Sequence, residues 1–155
     1  MGLEGLVIRP MTLEDAEPVS MIEAECFSEP WSAAGYRSTL SGGNSLYLVA
    51  QVQDRIVGMC GVLQALDEGE INNVAVTKAM RGNGIAGAML SELLQQGRKA
   101  GIKDFTLEVR VSNQPAIALY ESLGFRSEGI RPGFYNFPKE DALIMWLRDQ
   151  EALCQ

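Results

Sequence analysis

The chain has 155 residues, 46 % of them hydrophobic, and a formal net charge of −7. This size and apolar fraction suit one folded domain and exclude a disordered chain, and the acidic balance argues against general nucleic-acid binding, which runs on phosphate neutralisation by Lys and Arg. Histidine is absent and the three cysteines, Cys26, Cys60 and Cys154, form no CxxC pair, so neither a zinc site nor a disulfide scaffold is expected.

Met1-Gly2-Leu3-Glu4 lacks a basic region followed by an apolar stretch, and Leu6 stands where a myristoylation signal needs Ser or Thr. No apolar run approaches the roughly 18 residues that span a bilayer, so a cytoplasmic protein with reduced thiols is expected. Leu6-Val7-Ile8-Arg9 reads as a strand stopped by Pro10. Thr12, with Asp15 three residues on, caps a helix expected to reach Phe27, with Val19, Ile22 and Cys26 on its apolar side. Ser28-Glu29-Pro30-Trp31 breaks that helix, and Ser32 caps a second that ends before Gly42-Gly43. Three strands follow, Leu46–Val52, Arg55–Leu66 and Glu70–Val76, joined by turns at Gln53-Asp54 and Asp67-Glu68-Gly69. Turns this short make the neighbours antiparallel, a meander.

At Arg81 the period changes. Ile85, Met89, Leu90, Leu93 and Leu94 recur at helical spacing to about Lys99, and Gly101 closes the helix. Phe105–Val109 is a strand. Asn113 caps a short helix over Gln114–Ser122, closed by Gly124. Phe125–Ile130 and Asp141–Leu147 form a final strand pair around a Pro- and Gly-containing loop, and the tail from Asp149 is expected to fray. The third meander strand, the long helix and the next strand form a parallel, right-handed βαβ unit in an otherwise antiparallel sheet. The expected fold is a mixed α/β single domain over 1–155, with seven strands and about four helices.

Arg81-Gly82-Asn83-Gly84-Ile85-Ala86-Gly87 lies between a strand and an amphipathic helix. A helix start offers free N–H groups and the positive end of the dipole, and small residues let an anion approach the backbone. The segment therefore reads as a phosphate site; a tight turn into a closely packed helix is the other reading, which Gly87 alone also fits. No Gly-Lys-Ser/Thr follows, so it is not a P-loop. Gly82, Gly84 and Gly87 also fit the dinucleotide fingerprint, with Glu108 downstream, which keeps an NAD-binding dehydrogenase as a rival. The position after a meander, and a chain too short for a doubly wound fold plus a substrate domain, count against that rival.

The same segment reads Arg-x-x-Gly-x-Ala and resembles the pyrophosphate-binding motif of the GNAT acyltransferases, whose element order matches essentially the whole chain. Phe27-Ser28-Glu29-Pro30-Trp31-Ser32, Asn73-Val74-Ala75-Val76, Leu107-Glu108-Val109-Arg110, Ala116-Ile117-Ala118-Leu119-Tyr120-Glu121 and Glu140-Asp141-Ala142-Leu143-Ile144-Met145 resemble the RimI subfamily, which acetylates the N-terminal alanine of a small-subunit ribosomal protein. The resemblance implies acetyl-CoA as donor, no metal, no membrane or direct nucleic-acid partner, and direct attack by the amine of a protein N-terminus. Other N-termini, lysines or small amines remain open as acceptors, as does a non-catalytic CoA-binding module.

An α-amino group has a pKa of about 7.7–8.0 and needs a base before it attacks a thioester. With no histidine, a carboxylate or a water chain remains. By resemblance Glu108 is that base, directly or through water, and burial among Leu107, Val109 and the sheet would raise its proton affinity; an ordinary solvated strand carboxylate is the alternative. Tyr120 matches the family's general acid, although a phenol near 10 donates slightly uphill to a thiolate near about 8.5. Its ring shares helical spacing with Ala116, Ile117 and Leu123 and is expected to pack as well. The backbone of Val74, Ala75 and Val76 is expected to meet the pantetheine arm. Asn113 meets the cofactor or caps its helix, and Arg81 meets a phosphate or lies on the surface. Trp31, Asn73 and Tyr135 are candidates for an acceptor-peptide groove, with a core-sealing role the alternative for Trp31. Cys26 and Cys60 are expected outside the thioester site, which disfavours a cysteine relay.

Overall fold

The computed structural model describes residues 4–149. The chain folds in the expected element order: β1 (Leu6–Pro10), α1 (Ala16–Cys26), α2 (Ala33–Leu40), β2 (Ser45–Val52), β3 (Arg55–Ala65), β4 (Glu68–Val76), α3 (Ile85–Lys99), β5 (Asp104–Arg110), α4 (Gln114–Ser122), β6 (Arg126–Tyr135) and β7 (Glu140–Leu147). The strands form one seven-stranded sheet in the order β1-β2-β3-β4-β5-β7-β6. Among the described residues only β4 and β5 pair in parallel; the other pairings are antiparallel. The sheet is thus mixed and built around one βαβ unit, unlike the doubly wound sheet of a dinucleotide-binding fold.

Three boundaries differ from the expectation. Ahead of α1 the chain makes a 3-10 turn over Leu13–Asp15. There the Asp15 carboxylate accepts from the Thr12 N–H at 2.8 Å and from both terminal nitrogens of Arg9 at 2.8 and 2.9 Å, which tightens the turn. The β3–β4 turn sits at Leu66-Asp67, with Leu66 at φ 56°, and Glu68 and Gly69 already belong to β4. β6 continues past Ile130 to Tyr135 through an irregularity after Arg131, where Pro132 has no N–H to give; Tyr135 then pairs with Glu140.

Both helices flanking β5 end as sequence chemistry requires. Gly101 and Gly124 take φ values of 99° and 103°, and the next residues donate back into the helix, Ile102 to the Gly97 carbonyl at 2.9 Å and Phe125 to that of Tyr120 at 3.0 Å. The Asp149 N–H donates to Asp104 at 2.8 Å, and the rest of the tail, Cys154 included, lies outside the described residues.

Strand alternation separates two cores. On one face Phe105, Leu107 and Val109 of β5 pack with Ile85, Met89, Leu90, Leu93 and Leu94 of α3 and with Tyr120 and Phe125. On the other, Val19 and Ile22 of α1 and Tyr36 of α2 pack with Tyr47, Val49, Met59 and Ala75. Tyr47, Gly61 and Asn73 lie in one row across β2, β3 and β4. The Tyr47 ring lies over Gly61, with ring atoms 2.0–2.4 Å from where a Cβ would sit. Gly61→Ala should therefore cost about 1–3 kcal/mol of stability. Urea unfolding measures this, and an unchanged midpoint would refute the close approach.

Candidate functional site

The sheet splits in the middle. The β4–β5 ladder runs only from Glu68↔Asp104 to Ile71↔Leu107. On the other side of β4, Val62 pairs with Ile71 but Gly61 with Asn73, so Asn72 is an extra, bulged residue. A bulge bends its strand, and this one sits where the parallel ladder stops. Beyond it β4 stays with β3 as far as Val76, and β5 stays with β7 as far as Arg110. The Thr77 N–H donates to the Val57 carbonyl of β3 at 2.9 Å. By alternation Ala75 also faces β3, while Val74 and Val76 turn their backbone groups into the opening. The Val76 carbonyl takes the Arg81 Nε at 3.1 Å and the Cys26 thiol at 3.6 Å; the Val74 groups have no strand partner.

The glycine segment lies at the end of this opening. Gly82 and Gly84 have φ of 83° and 75°, and nothing lies within 4 Å of where their Cβ atoms would be. The first helical hydrogen bond runs from the Ala88 N–H to the Gly84 carbonyl at 3.1 Å, so the N–H groups of Ile85, Ala86 and Gly87 have no acceptor within the helix. An anion of diphosphate type fits this cradle: open space, free donors and the positive helix end coincide. Gly87 faces α4, with Leu119 at 3.6 Å from its missing Cβ. Asn83 donates to the Met80 carbonyl at 2.9 Å. Arg81 turns its guanidinium onto Val76 and, at 3.2 Å, onto the Cys26 sulfur. The end of α1 packs against the end of β4, which brings Cys26 to the Val76 carbonyl and Arg81; Cys60 is buried in the core. Asn113 accepts from the Ala116 N–H at 3.3 Å as the cap of α4.

Glu108 lies at the split, one residue past the last β4–β5 pair. Leu107 and Val109 point into the α3 core, so the shielding of Glu108 comes from elsewhere. Its side chain is 13 % exposed, and Arg131 Nη1 lies 2.8 Å from its Oε2. The angle is poor, so this sealed oxygen accepts no aligned hydrogen bond. Burial raises the Glu108 proton affinity above the ordinary 4.5, Arg131 opposes the rise and Glu70 on β4 adds to it. Tyr135 is the last residue of β6 rather than a loop residue; it packs edge-on to Phe134 at 5.0 Å and beneath the Arg110 guanidinium at 4.6 Å. Burial and the nearby Glu108 push its phenol up to about 12. Tyr120 is buried edge-on to Phe125 at 6.0 Å, and burial, with Tyr135 next in weight, raises its phenol as well. A raised phenol makes full proton donation to a thiolate more uphill than an unperturbed one, so Tyr120 is suited to hydrogen bonding the developing sulfur charge.

Trp31 and Asn73 belong to a buried network centred on Glu23, a residue the sequence reading passed over. Glu23 is 1 % exposed. Its Oε1 accepts the Trp31 N–H at 2.9 Å; its Oε2 accepts the Tyr36 hydroxyl at 2.6 Å and the Asn73 amide at 2.8 Å. The Trp31 ring is half-buried over Tyr36 and Tyr47, with centroids at 5.2 and 6.4 Å. A signal was present in the sequence: Val19, Ile22, Glu23 and Cys26 share the apolar stripe of α1, where a lone carboxylate requires partners. The Asn73 Oδ1 and the Tyr47 hydroxyl are sealed without an aligned partner.

Among the described residues no group of three His, Cys, Asp or Glu side chains could hold a metal ion, and no helix is long and apolar enough to cross a membrane. Residues 16–125 match the model of the acetyltransferase (GNAT) family. The chain is 35 % identical over 128 residues to the ribosomal protein bS18-alanine N-acetyltransferase of Escherichia coli (strain K12), covering 81 % of this chain and 86 % of that one. It is 32 % identical over 148 residues to the N-alpha-acetyltransferase RimI of Mycobacterium tuberculosis, covering 92 % of each. The crystal structure of the E. coli ribosomal-protein-S18-alanine N-acetyltransferase superposes with a TM-score of 0.86 at 32 % identity, over 93 % of this chain and 94 % of that one.

Proposed function

The chain belongs to the acetyltransferase (GNAT) family, and from that premise we propose that it transfers acetyl from acetyl-CoA to the α-amino group of a protein N-terminus, the N-terminal alanine of a small-subunit ribosomal protein. The acceptor rests on the names of its relatives. One observation carries the mechanism: β4 and β5 part after Ile71 and Leu107, so that Val74 and Glu108 both lie beyond the last β4–β5 pair. In this reading the Val74 and Val76 edge holds the pantetheine arm. The free N–H groups of Ile85, Ala86 and Gly87, approached over Gly82 and Gly84, hold the pyrophosphate. Acetyl-CoA supplies the activated acyl group when bound.

The chain's own residues do the rest. Glu108 takes the proton of the incoming ammonium, directly or through water, and its raised proton affinity suits it to an amine near pH 7. Tyr120 donates to the departing sulfur. Trp31, Asn73 and Tyr135, held by the Glu23 network and the end of β6, border the acceptor. A ribosomal-protein acceptor places the enzyme in the cytoplasm.

A panel of peptides differing only at the first residue, with free polyamines and internal lysines alongside, tests the acceptor with labelled acetyl-CoA. Preference for N-terminal alanine is expected; equal rates across the panel would overturn that assignment. Tyr120→Phe should lower kcat by about 10- to 100-fold, at or below the low end of acid–base effects, and leave the acetyl-CoA affinity measured by calorimetry unchanged. Full turnover in that variant would remove the acid role.

A further inference from the structure

Arg131 is not accounted for by the chemistry above. It lies at the last regular position of β6 before the irregularity at Pro132, and its side chain is 55 % exposed. In the register of the sheet Arg131 and Arg110 both pair with Ala142, and Glu108 pairs with Ile144. The Arg131 side chain therefore reaches diagonally across β7, over the small Ala142, to place Nη1 at 2.8 Å from Glu108 Oε2. That oxygen is sealed and has no aligned donor, from Arg131 or elsewhere. The guanidinium also lies 5.2 Å from the centre of the half-exposed Phe134 ring, a cation–π contact it can keep without the carboxylate.

We infer that Arg131 occupies, in the protein without acceptor, the place of the acceptor's ammonium at Glu108, and that the acceptor binds by displacing it onto Phe134. The inference rests on Glu108 being the base. Two cations cannot share one small carboxylate without repulsion, and the contact to Arg131 is close but misaligned, so it is the replaceable one. The step is balanced: the ammonium pairs with the Glu108 carboxylate, one of its protons passes to Oε2, and the neutral amine keeps the lone pair that attacks. Displacement also prepares the base. The charged groups facing Glu108 are Arg131 and, when ionised, Tyr135 from β6, and Glu70 from β4; Arg131 is the one that stabilises the carboxylate. Once it leaves, burial and Glu70 remain and the carboxyl holds a proton more tightly.

The test uses the full chain with Arg131→Gln and Arg131→Lys. Carbon-13 NMR titration of Glu108 without acceptor should show its midpoint moved upward in R131Q and largely restored in R131K. The acceptor KM should fall about two- to five-fold in R131Q, the range for a partly exposed ion pair. The acid limb of kcat/KM, which reports free enzyme, should move up with the NMR midpoint, and the acid limb of kcat, which reports the complex, should stay in place. An unmoved NMR midpoint overturns the pairing. Parallel movement of both limbs, or an unchanged KM, overturns the displacement, because Arg131 would then remain at Glu108 during turnover. A wild-type protein that acetylates no amine overturns the functional reading and the displacement with it, while the NMR arm still reports the pairing independently.

Discussion

Glu108→Gln is expected to lower kcat by about a hundred- to ten-thousand-fold while sparing acetyl-CoA binding. The amide keeps the shape of the carboxylate but cannot accept a proton from an ammonium. The cofactor cradle proposed above lies along β4 and the start of α3, and in that reading it does not use this side chain. The same substitution should not destabilise the fold near neutral pH. Burial raises the proton affinity of Glu108 above 4.5 even with Arg131 beside it, so folding favours its protonated form. Its favourable contribution is fully present below the unfolded pKa and is lost as pH rises through the higher folded value. Gln imitates the protonated form at every pH. Urea unfolding should therefore show E108Q at least as stable as the parent at pH 7 and the difference shrinking as pH falls. The acid limb of activity in the parent should lie above the ordinary carboxylate value for the same reason. Turnover within a few-fold of the parent would remove Glu108 as the base, and collapse of the fold would overturn the stability prediction.

Glu23→Ala should cost about 3–5 kcal/mol of stability, the largest loss expected from any substitution on the α1 and α2 face. It removes the acceptor for the Trp31 N–H, the Tyr36 hydroxyl and the Asn73 amide together. Two of the donors lie where water does not replace the carboxylate, since Tyr36 is 0 % and Asn73 6 % exposed. Removing a buried polar group offsets part of this cost but does not cancel it. Urea unfolding checks the magnitude. Where the variant still folds, the acceptor KM should rise more than the acetyl-CoA KM, because the network ties the chain at Trp31 to β4 at Asn73. A change below about 1 kcal/mol would mean the network contributes little beyond packing.

Much of the fold was legible along the chain. The helical recurrence of Ile85, Met89, Leu90, Leu93 and Leu94 located α3, and all five are buried. Ser32 and Asn113 each cap the helix they precede, accepting from Gly35 at 3.1 Å and from Ala116 at 3.3 Å. The motif from Arg81 to Gly87 located a helix start with an open cradle, and the order of elements around it favoured an acetyltransferase over a dinucleotide fold, as the family match bears out. Other details were not legible. Tyr135 was read as a loop residue because Pro132 and Gly133 hide the return of β6 to its ladder. Glu108 was assigned a shield of Leu107 and Val109, its neighbours in sequence, although alternation puts them on the far face. Arg131 and Glu23 were not singled out.

The division follows the range of the forces. Periodicity, caps and glycine closures act within a few residues, so the sequence by itself determined the elements, their order and the open helix start at Arg81 to Gly87, while Glu108 and Tyr120 were singled out by resemblance to the GNAT acyltransferases. Register is decided between strands far apart in the chain, by the packing of two cores at once. Only the tertiary structure could therefore decide that Asn72 bulges, that β4 and β5 part after Ile71 and Leu107, and that Arg131 reaches over Ala142 to the carboxylate of Glu108.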